Sequence, residues 1–427
     1  MRTVSKTVIG VDFGTQSARA VLVNAENGEI IYSCRKEYHY NSTPVPAIDC
    51  AENLPCATDY EMTLYELLRN VIPEEYRKTV AGICIDATSL TMVLLAEDGR
   101  ALSELDGWSE AAHARVKLWK YHRAQEKADE ALNLASNLQE PFLGRTGGSI
   151  SCEWMLPKLL EVRDEAPEIY SKIDLAMDLC EFLTFRLTGQ LVRSIGSLSY
   201  KCLWAEDLSF PERTFLNGLR AGFYEEYCHF LRGDVRKLGE CAGMLRSELT
   251  KRWGLPEQIP VATGMLDGHT SLATMGAFEP GDAALIVGTS NVCTVQDRKL
   301  QELKDVCGVA QDGMVTGSCG IDTGQSSTGN MLGWFVEHMA GWQIHREAEE
   351  RKISPHQVLA ERIQKPWENK VIAVDWWSGS RNAPCDLTLR GSMSGLEMDT
   401  KTQDIYLALL QAIACGTGTI LESLSGQ

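Results

Sequence analysis

This chain has no block of basic residues. Its 41 Lys and Arg are spread among 58 Asp and Glu, and the formal net charge is −17. Without a basic patch it lacks the electrostatic footprint of a nucleic-acid or anionic-membrane binder, so neither is expected as a partner. It has no Cys-x-x-Cys pair among its 14 cysteines. Scattered cysteines in 427 residues, with no apolar signal core behind Met1-Arg2-Thr3-Val4, predict reduced thiols and a cytoplasmic location. No stretch reads as long enough to span a membrane. A Walker A loop and a G-x-G-x-x-G fingerprint are both missing, which excludes the usual P-loop and Rossmann nucleotide sites. The remaining composition is ordinary, 44% hydrophobic and 23% charged, with length enough for two domains with full cores.

Two short loops stand out against this background. Near the start the chain reads Val8-Ile9-Gly10-Val11-Asp12-Phe13-Gly14-Thr15-Gln16-Ser17, and far downstream Ala284-Leu285-Ile286-Val287-Gly288-Thr289-Ser290-Asn291. Each is an apolar run of strand length ending in Gly-Thr and a further polar group. Such a turn exposes backbone N–H groups and a hydroxyl, which suits a phosphate. One in each half of the chain suggests two similar domains clamping one polyphosphate. Asp12 could hold the magnesium that a polyphosphate brings. For a single Gly-Thr, ordinary turn chemistry is the better default; the pairing is what raises the functional reading. The letters Asp12-Phe13-Gly14 also occur in protein kinases, but nothing like V-A-I-K or H-R-D precedes them.

The pattern of elements is mixed α/β. Residues 7–13, 18–24 and 30–33 read as meandering strands around the turn Glu26-Asn27-Gly28. Residues 58–72 have helical spacing, 80–85 read as a buried strand, and 91–99 suggest a hairpin. The middle is expected to be helical, with helices over 110–137, 151–163 and 168–188, the last stopping at Thr188-Gly189. The pattern then restarts with a strand at 259–264, a helix at 267–276, a strand at 283–287, and helices at 326–339 and 404–424. The domain boundary is expected near 255, giving domains 1–255 and 256–427.

With both loops placed, the chain resembles the FGGY carbohydrate kinases, and within them the L-ribulokinases. Asp12-Phe13-Gly14-Thr15-Gln16-Ser17-Ala18-Arg19 matches the family's D-x-G-T-x-S-x-R motif. Gly264-Met265-Leu266-Asp267-Gly268-His269 sits where the family keeps its catalytic aspartate, and Gly288-Thr289-Ser290 matches the second phosphate motif. The ribulokinase likeness comes from five segments: Val116–His122, Gly147–Trp154, Tyr200–Trp204, Gly324–Ser326 and Asp375–Asn382. The resemblance implies an actin-like ATPase (ribonuclease H-like) α/β fold, two similar domains around a cleft. It implies phosphorylation of a ketose, L-ribulose above all, by ATP with Mg2+, in L-arabinose catabolism; it also allows a homodimer. Alternatives are another pentulose such as xylulose, a polyol, or a sugar-binding relic that has lost ATP use. Where ribulokinases have a sugar-contacting glutamate this chain has Asp322, and where they usually have alanine it has Ser89. Family members also continue past the Ala414–Glu422 region into an adenosine-cradling turn and further helix. The second domain is therefore expected to be incomplete, with an unpaired strand edge, exposed apolar surface and poor solubility.

The expected roles follow. Asp267 is the general base that takes the proton of the attacking sugar hydroxyl; it could equally cap the helix after it. Asp12 is the metal-side carboxylate. Gly14, Thr15, Gln16, Gly288, Thr289 and Ser290 hold the ATP phosphates. Ser89, Lys201, Asp322 and Gln325 join Asp267 around the sugar, with Trp119 and Trp154 either stacking on it or serving as plain core. His113, His122 and His269 show no metal-ligand spacing, and Cys202 and Cys319 read as small buried apolar residues.

Overall fold

The computed structural model describes residues 5–38, 54–381, 386 and 388–426. Met1–Val4 and Asn382, the last residue of one ribulokinase-like segment, lie outside the described residues.

The first sheet grows from strand β1 (Thr7–Phe13), whose alternate residues Thr7, Ile9, Val11 and Phe13 are buried. It forms a hairpin with β2 (Ser17–Asn24), which pairs in turn with β3 (Ile30–Glu37). On its other side β1 runs parallel to β4 (Val80–Ala87), in a register that sets Asp12 beside Asp86. The helix Ala57–Asn70 covers this sheet with Tyr60, Leu64, Leu67 and Leu68, the i, i+3, i+4 stripe expected of an amphipathic helix.

After β4 the chain makes a tight turn into β5 (Met92–Leu95), which pairs with β6 (Leu175–Asp178), some eighty residues downstream. The 91–99 segment is therefore not chiefly a hairpin, although Leu95 does bridge to Ala101. Two predicted helices are also corrected. In 110–137 the helix begins only at Gln125, after a single 3-10 turn at Ala112–Ala114. The 168–188 stretch is cut by β6, and a new helix, Leu179–Thr188, starts behind it. Leu175-Ala176-Met177 is a short, wholly buried apolar run, which periodicity cannot assign to strand or helix. Asp178 then opens the second helix with a capping box to Glu181, and Gly189, at φ 72°, closes it.

Short strands β7 (Val192–Ser194) and β8 (Asp234–Arg236) pair beside the helix Ile195–Lys201. Strand β9 (Cys241–Met244) joins the first sheet through β10 (Pro260–Ala262), and β11 (Met265–Leu266) adds to β4, giving the order β3-β2-β1-β4-β10-β9 with β11 also on β4. The second sheet is antiparallel, β12 (Ala283–Val287), β13 (Asn291–Asp297), β14 (Gly308–Gln311) and β15 (Cys319–Gln325), in the order β12-β13-β15-β14. Helices Gly329–Met339, Trp342–Arg351, Pro355–Arg362 and Thr402–Gly426 gather around a separate core of Met331, Phe335, Val358, Tyr406 and Leu409. The last helix corrects another expectation. At 25 residues it is long and apolar enough, by length and composition, to cross a membrane, although its Tyr406–Leu409 segment is buried in that core.

Candidate active site

Three carboxylates converge where β1, β4 and β11 end. Asp12 and Asp86 are register partners on β1 and β4, and Asp267 follows directly on β11, whose Leu266 pairs with Ala87. Like charges brought together out of water resist ionising. Burial, then Asp12 and Asp267, pushes Asp86 up to about 8. Burial also raises Asp267, to about 7, against the pull of the Gly268 N–H, while Asp12 adds to the rise. The Gly268 amide donates to Asp267 Oδ1 at 2.7 Å, and the Ser89 backbone beside it also favours the ionised carboxylate. Asp86 Oδ1 is buried without a hydrogen-bond partner. Arg19 stands 3.8 Å from Asp12, an exposed pair of little energetic weight. Asp86 was not foreseen as a site residue. Its signal was available, as a second carboxylate ending a second buried strand.

The two Gly-Thr turns occupy equivalent places, each joining an antiparallel hairpin. Gly14–Gln16 links β1 to β2, and Gly288–Ser290 links β12 to β13. In the first, the Gly14 amide closes on Ser17 O at 3.2 Å, Tyr38 donates to Gly14 O at 2.8 Å, and Trp119 Nε1 donates to Thr15 Oγ1 at 3.1 Å. Gln16 is exposed. In the second, the Gly288 amide closes on Ser290 O at 3.1 Å, and the start of helix Gly329–Met339 holds the turn from behind. Thr328 Oγ1 donates to Gly288 O at 2.9 Å, and the Gly329 and Asn330 amides donate to Gly288 O and Thr289 O. Gly288 and Thr289 are exposed.

The 3-10 turn Asp267–His269 joins the carboxylates to a second cluster. Lys201 ends the helix Ile195–Lys201, and its Nζ donates to Asp322 Oδ2 at 2.9 Å; His269 Nε2 lies 3.5 Å from the same oxygen. All three are buried. Burial alone would raise the Asp322 carboxyl, but Lys201 and His269 hold it well below the usual carboxylate range. Lys201 is raised because Asp322 outweighs its burial, and His269 is lowered by burial. His269 Nδ1 and Ser89 Oγ are buried polar atoms without partners, and the Tyr200 ring meets His269 edge-on at 4.6 Å. A third cluster bridges the same two halves of the chain. Arg381 Nη2 donates to Glu153 Oε1 at 2.6 Å, His122 Nε2 lies 2.9 Å from that oxygen, and Arg381 stands over the Trp119 ring. Burial opposes ionisation of Glu153, yet Arg381 and His122 bring it down to about 2.

Gln325 does not join these groups. Its Oε1 accepts from Asn291 Nδ2 at 2.8 Å and Thr417 Oγ1 at 2.7 Å, and its Nε2 donates to Asp375 Oδ2 at 2.6 Å and Ile413 O at 3.0 Å. All four hydrogen-bonding positions of the amide are taken by protein. Trp154 is buried in the middle core, whereas Trp119 is only part-buried and faces Thr15.

Comparison with known proteins identifies the family. The FGGY carbohydrate kinase N-terminal domain matches residues 7–274, and the C-terminal domain of that family matches 283–427. The ribulokinase of Halalkalibacterium halodurans is 33% identical over 433 residues, covering 99% of this chain and 77% of the relative. That of Mycolicibacterium smegmatis is 36% identical over 430 residues, covering 98% and 76%. Among solved structures, a xylulose kinase from Rhodospirillum rubrum superposes with a TM-score of 0.74 at 20% identity, over 99% of this chain and 79% of that one. Plasmodium falciparum glycerol kinase with ADP superposes with a TM-score of 0.76 at 16% identity, over 99% and 79%.

Proposed function

The chain belongs to the FGGY family of carbohydrate kinases, and on that footing we propose that it transfers the γ-phosphoryl group of ATP to the terminal hydroxyl of a ketopentose, L-ribulose first. The observation that carries the reading is Asp267. It is a half-buried carboxylate raised to about 7, and it shares one short turn with His269 of the Lys201–Asp322–His269 cluster. A base poised near neutral pH, next to a cluster of buried polar side chains, is what hydroxyl activation requires.

In this reading Lys201, Asp322, His269 Nδ1 and Ser89 Oγ bind the hydroxyls. The buried, unpartnered atoms of His269 and Ser89 are the sites where a polyol would gain most by arriving. Gln325 is left to its structural network. Gly14, Thr15 and Gln16 hold the phosphates from one side, and Gly288, Thr289 and Ser290 from the other. The orphaned Oδ1 of Asp86, beside Asp12, fits a hard divalent cation. Magnesium held there would neutralise polyphosphate charge. Asp267 takes the hydroxyl proton as the phosphoryl group moves across, and positioning with charge neutralisation lowers most of the barrier.

Coupled ADP release tests this with MgATP against L-ribulose, D-ribulose, xylulose and ribitol, with Asp267→Asn alongside. Turnover of one ketose that falls by about 10²–10⁴ in Asp267→Asn is the expected result. Turnover confined to ribitol would replace the ketose with a polyol. Sugar binding by calorimetry with no turnover of any of the four would overturn the kinase chemistry for this chain.

A further inference from the structure

Lys158 lies on the helix Met155–Glu165 with no exposed surface. Its ammonium reaches three backbone carbonyls, Leu90 at 2.7 Å, Leu118 at 2.9 Å and Lys117 at 3.2 Å. An ammonium has three donors, so each carbonyl takes one. Taking a cation out of water is costly, and packing alone would be served by leucine or methionine at this place.

Two of the three acceptors, Lys117 and Leu118, lie in the segment that leads into Trp119, the residue that donates to Thr15 of the first phosphate turn. The third, Leu90, lies in the Thr88–Thr91 turn that follows β4. Leu90 has φ +61°, the left-handed region that a branched side chain seldom adopts. Its amide donates to Asp178 Oδ2 at 3.1 Å, an oxygen that also accepts from Ser197 Oγ at 3.0 Å. Asp178 Oδ1 accepts from the Leu179 amide at 2.8 Å. The ends of the turn are tied by Thr88 Oγ1 and Thr91 Oγ1 at 2.9 Å. The strained residue is thus gripped at its N–H by Asp178 and at its C=O by Lys158. The residue before it, Ser89, has its backbone beside Asp267, where it favours the carboxylate form.

We propose that Lys158 and Asp178 are positioning residues that hold the Thr88–Thr91 turn in its left-handed form, keeping Ser89 beside Asp267 and the Trp119 segment on the phosphate turn. The inference rests on the reading of Asp267 as the base. Neither residue touches substrate; both act through the turn.

The test uses Lys158→Gln, which keeps two donors but loses the third and the charge, and Ser197→Ala, which loosens Asp178 without orphaning a buried charge. Each is made in the full chain and in the Asp267→Asn background, with the best sugar of the panel as substrate. Sugar affinity is expected to stay within about threefold, while kcat falls about tenfold in Lys158→Gln and about threefold in Ser197→Ala. Hydrogen exchange at the Ser89 and Leu90 amides should accelerate. In the Asp267→Asn background neither substitution should lower the residual rate more than about twofold, since residues acting through one group are not additive. Equal fold-losses in both backgrounds, or unchanged exchange at Ser89 and Leu90, would overturn the proposal. Should Lys158→Gln not fold, Ser197→Ala decides by the same two readings. If Asp267→Asn alone leaves turnover intact, the base assignment falls, and the exchange rates still decide whether the latch exists.

Discussion

Asp267 must remain a carboxylate in a place that favours the acid. Its carboxyl sits at about 7, so with Asp267 as the proposed base activity should fall below that value as the carboxylate becomes protonated. The kcat/KM profile for the preferred sugar should show an acidic limb near pH 7, and Asp267→Asn should lower kcat by about 10²–10⁴. Asp86 makes the opposite demand on the fold. Its folded value, about 8, lies above the ordinary 3.8. Between those values the folded chain holds a proton that the unfolded chain releases, so this group costs stability increasingly as pH rises through the window to 8. Asp86→Asn should therefore raise the melting temperature at pH 8 more than at pH 5, while abolishing turnover; thermal unfolding at the two pH values checks it. At this scale the sequence made Asp12, Asp267 and Lys201 legible, because each sits in a motif. His269, Glu153 and Arg381 lay inside motif segments without a role, and Asp86 outside them, because their meaning depends on neighbours distant in the chain. Glu153 meets Arg381 across 228 residues.

Among elements, the strands were read better than the helices between them. β1, β4 and β12 announce themselves as short apolar runs closed by turn residues. β6 did not, because four buried residues between two helical stretches carry no period of their own. The long C-terminal helix offers an element-scale test. Gly416 faces the Gln325 network, and a methyl group there would stand 2.5 Å from Asp375 Oδ2 and in collision with Gln325 Nε2. Gly416→Ala should destabilise the chain by about 1–3 kcal/mol through overpacking, seen as an earlier urea midpoint. An unchanged midpoint would mean that the helix shifts freely on β15.

Across the whole molecule, the halves of the chain are joined by polar contacts shielded from solvent. They are Lys201 to Asp322, Arg381 to Glu153, and the Tyr200 hydroxyl to Gly320 O at 2.7 Å. Removing one member of a buried pair leaves an uncompensated charge. Lys201→Met should cost about 3–5 kcal/mol, whereas Lys201→Met with Asp322→Leu should recover much of that stability without recovering activity. Urea unfolding of the two variants, each beside its turnover number, separates the outcomes. Tyr200 carries the last consequence. Its ring lies in a slot cut by three glycines of the second sheet and its loop. A methyl group on Gly308, Gly313 or Gly320 would stand 2.7, 2.5 and 2.5 Å from atoms of Tyr200. The helix that presents Lys201 is thus keyed to gaps more than a hundred residues downstream. A lineage cannot fill one of those gaps and trim the ring in separate viable steps, since either change alone gives a clash or a void. Lys201 is therefore insulated from gradual drift, and specificity in this chain should evolve through Ser89, which carries no such lock.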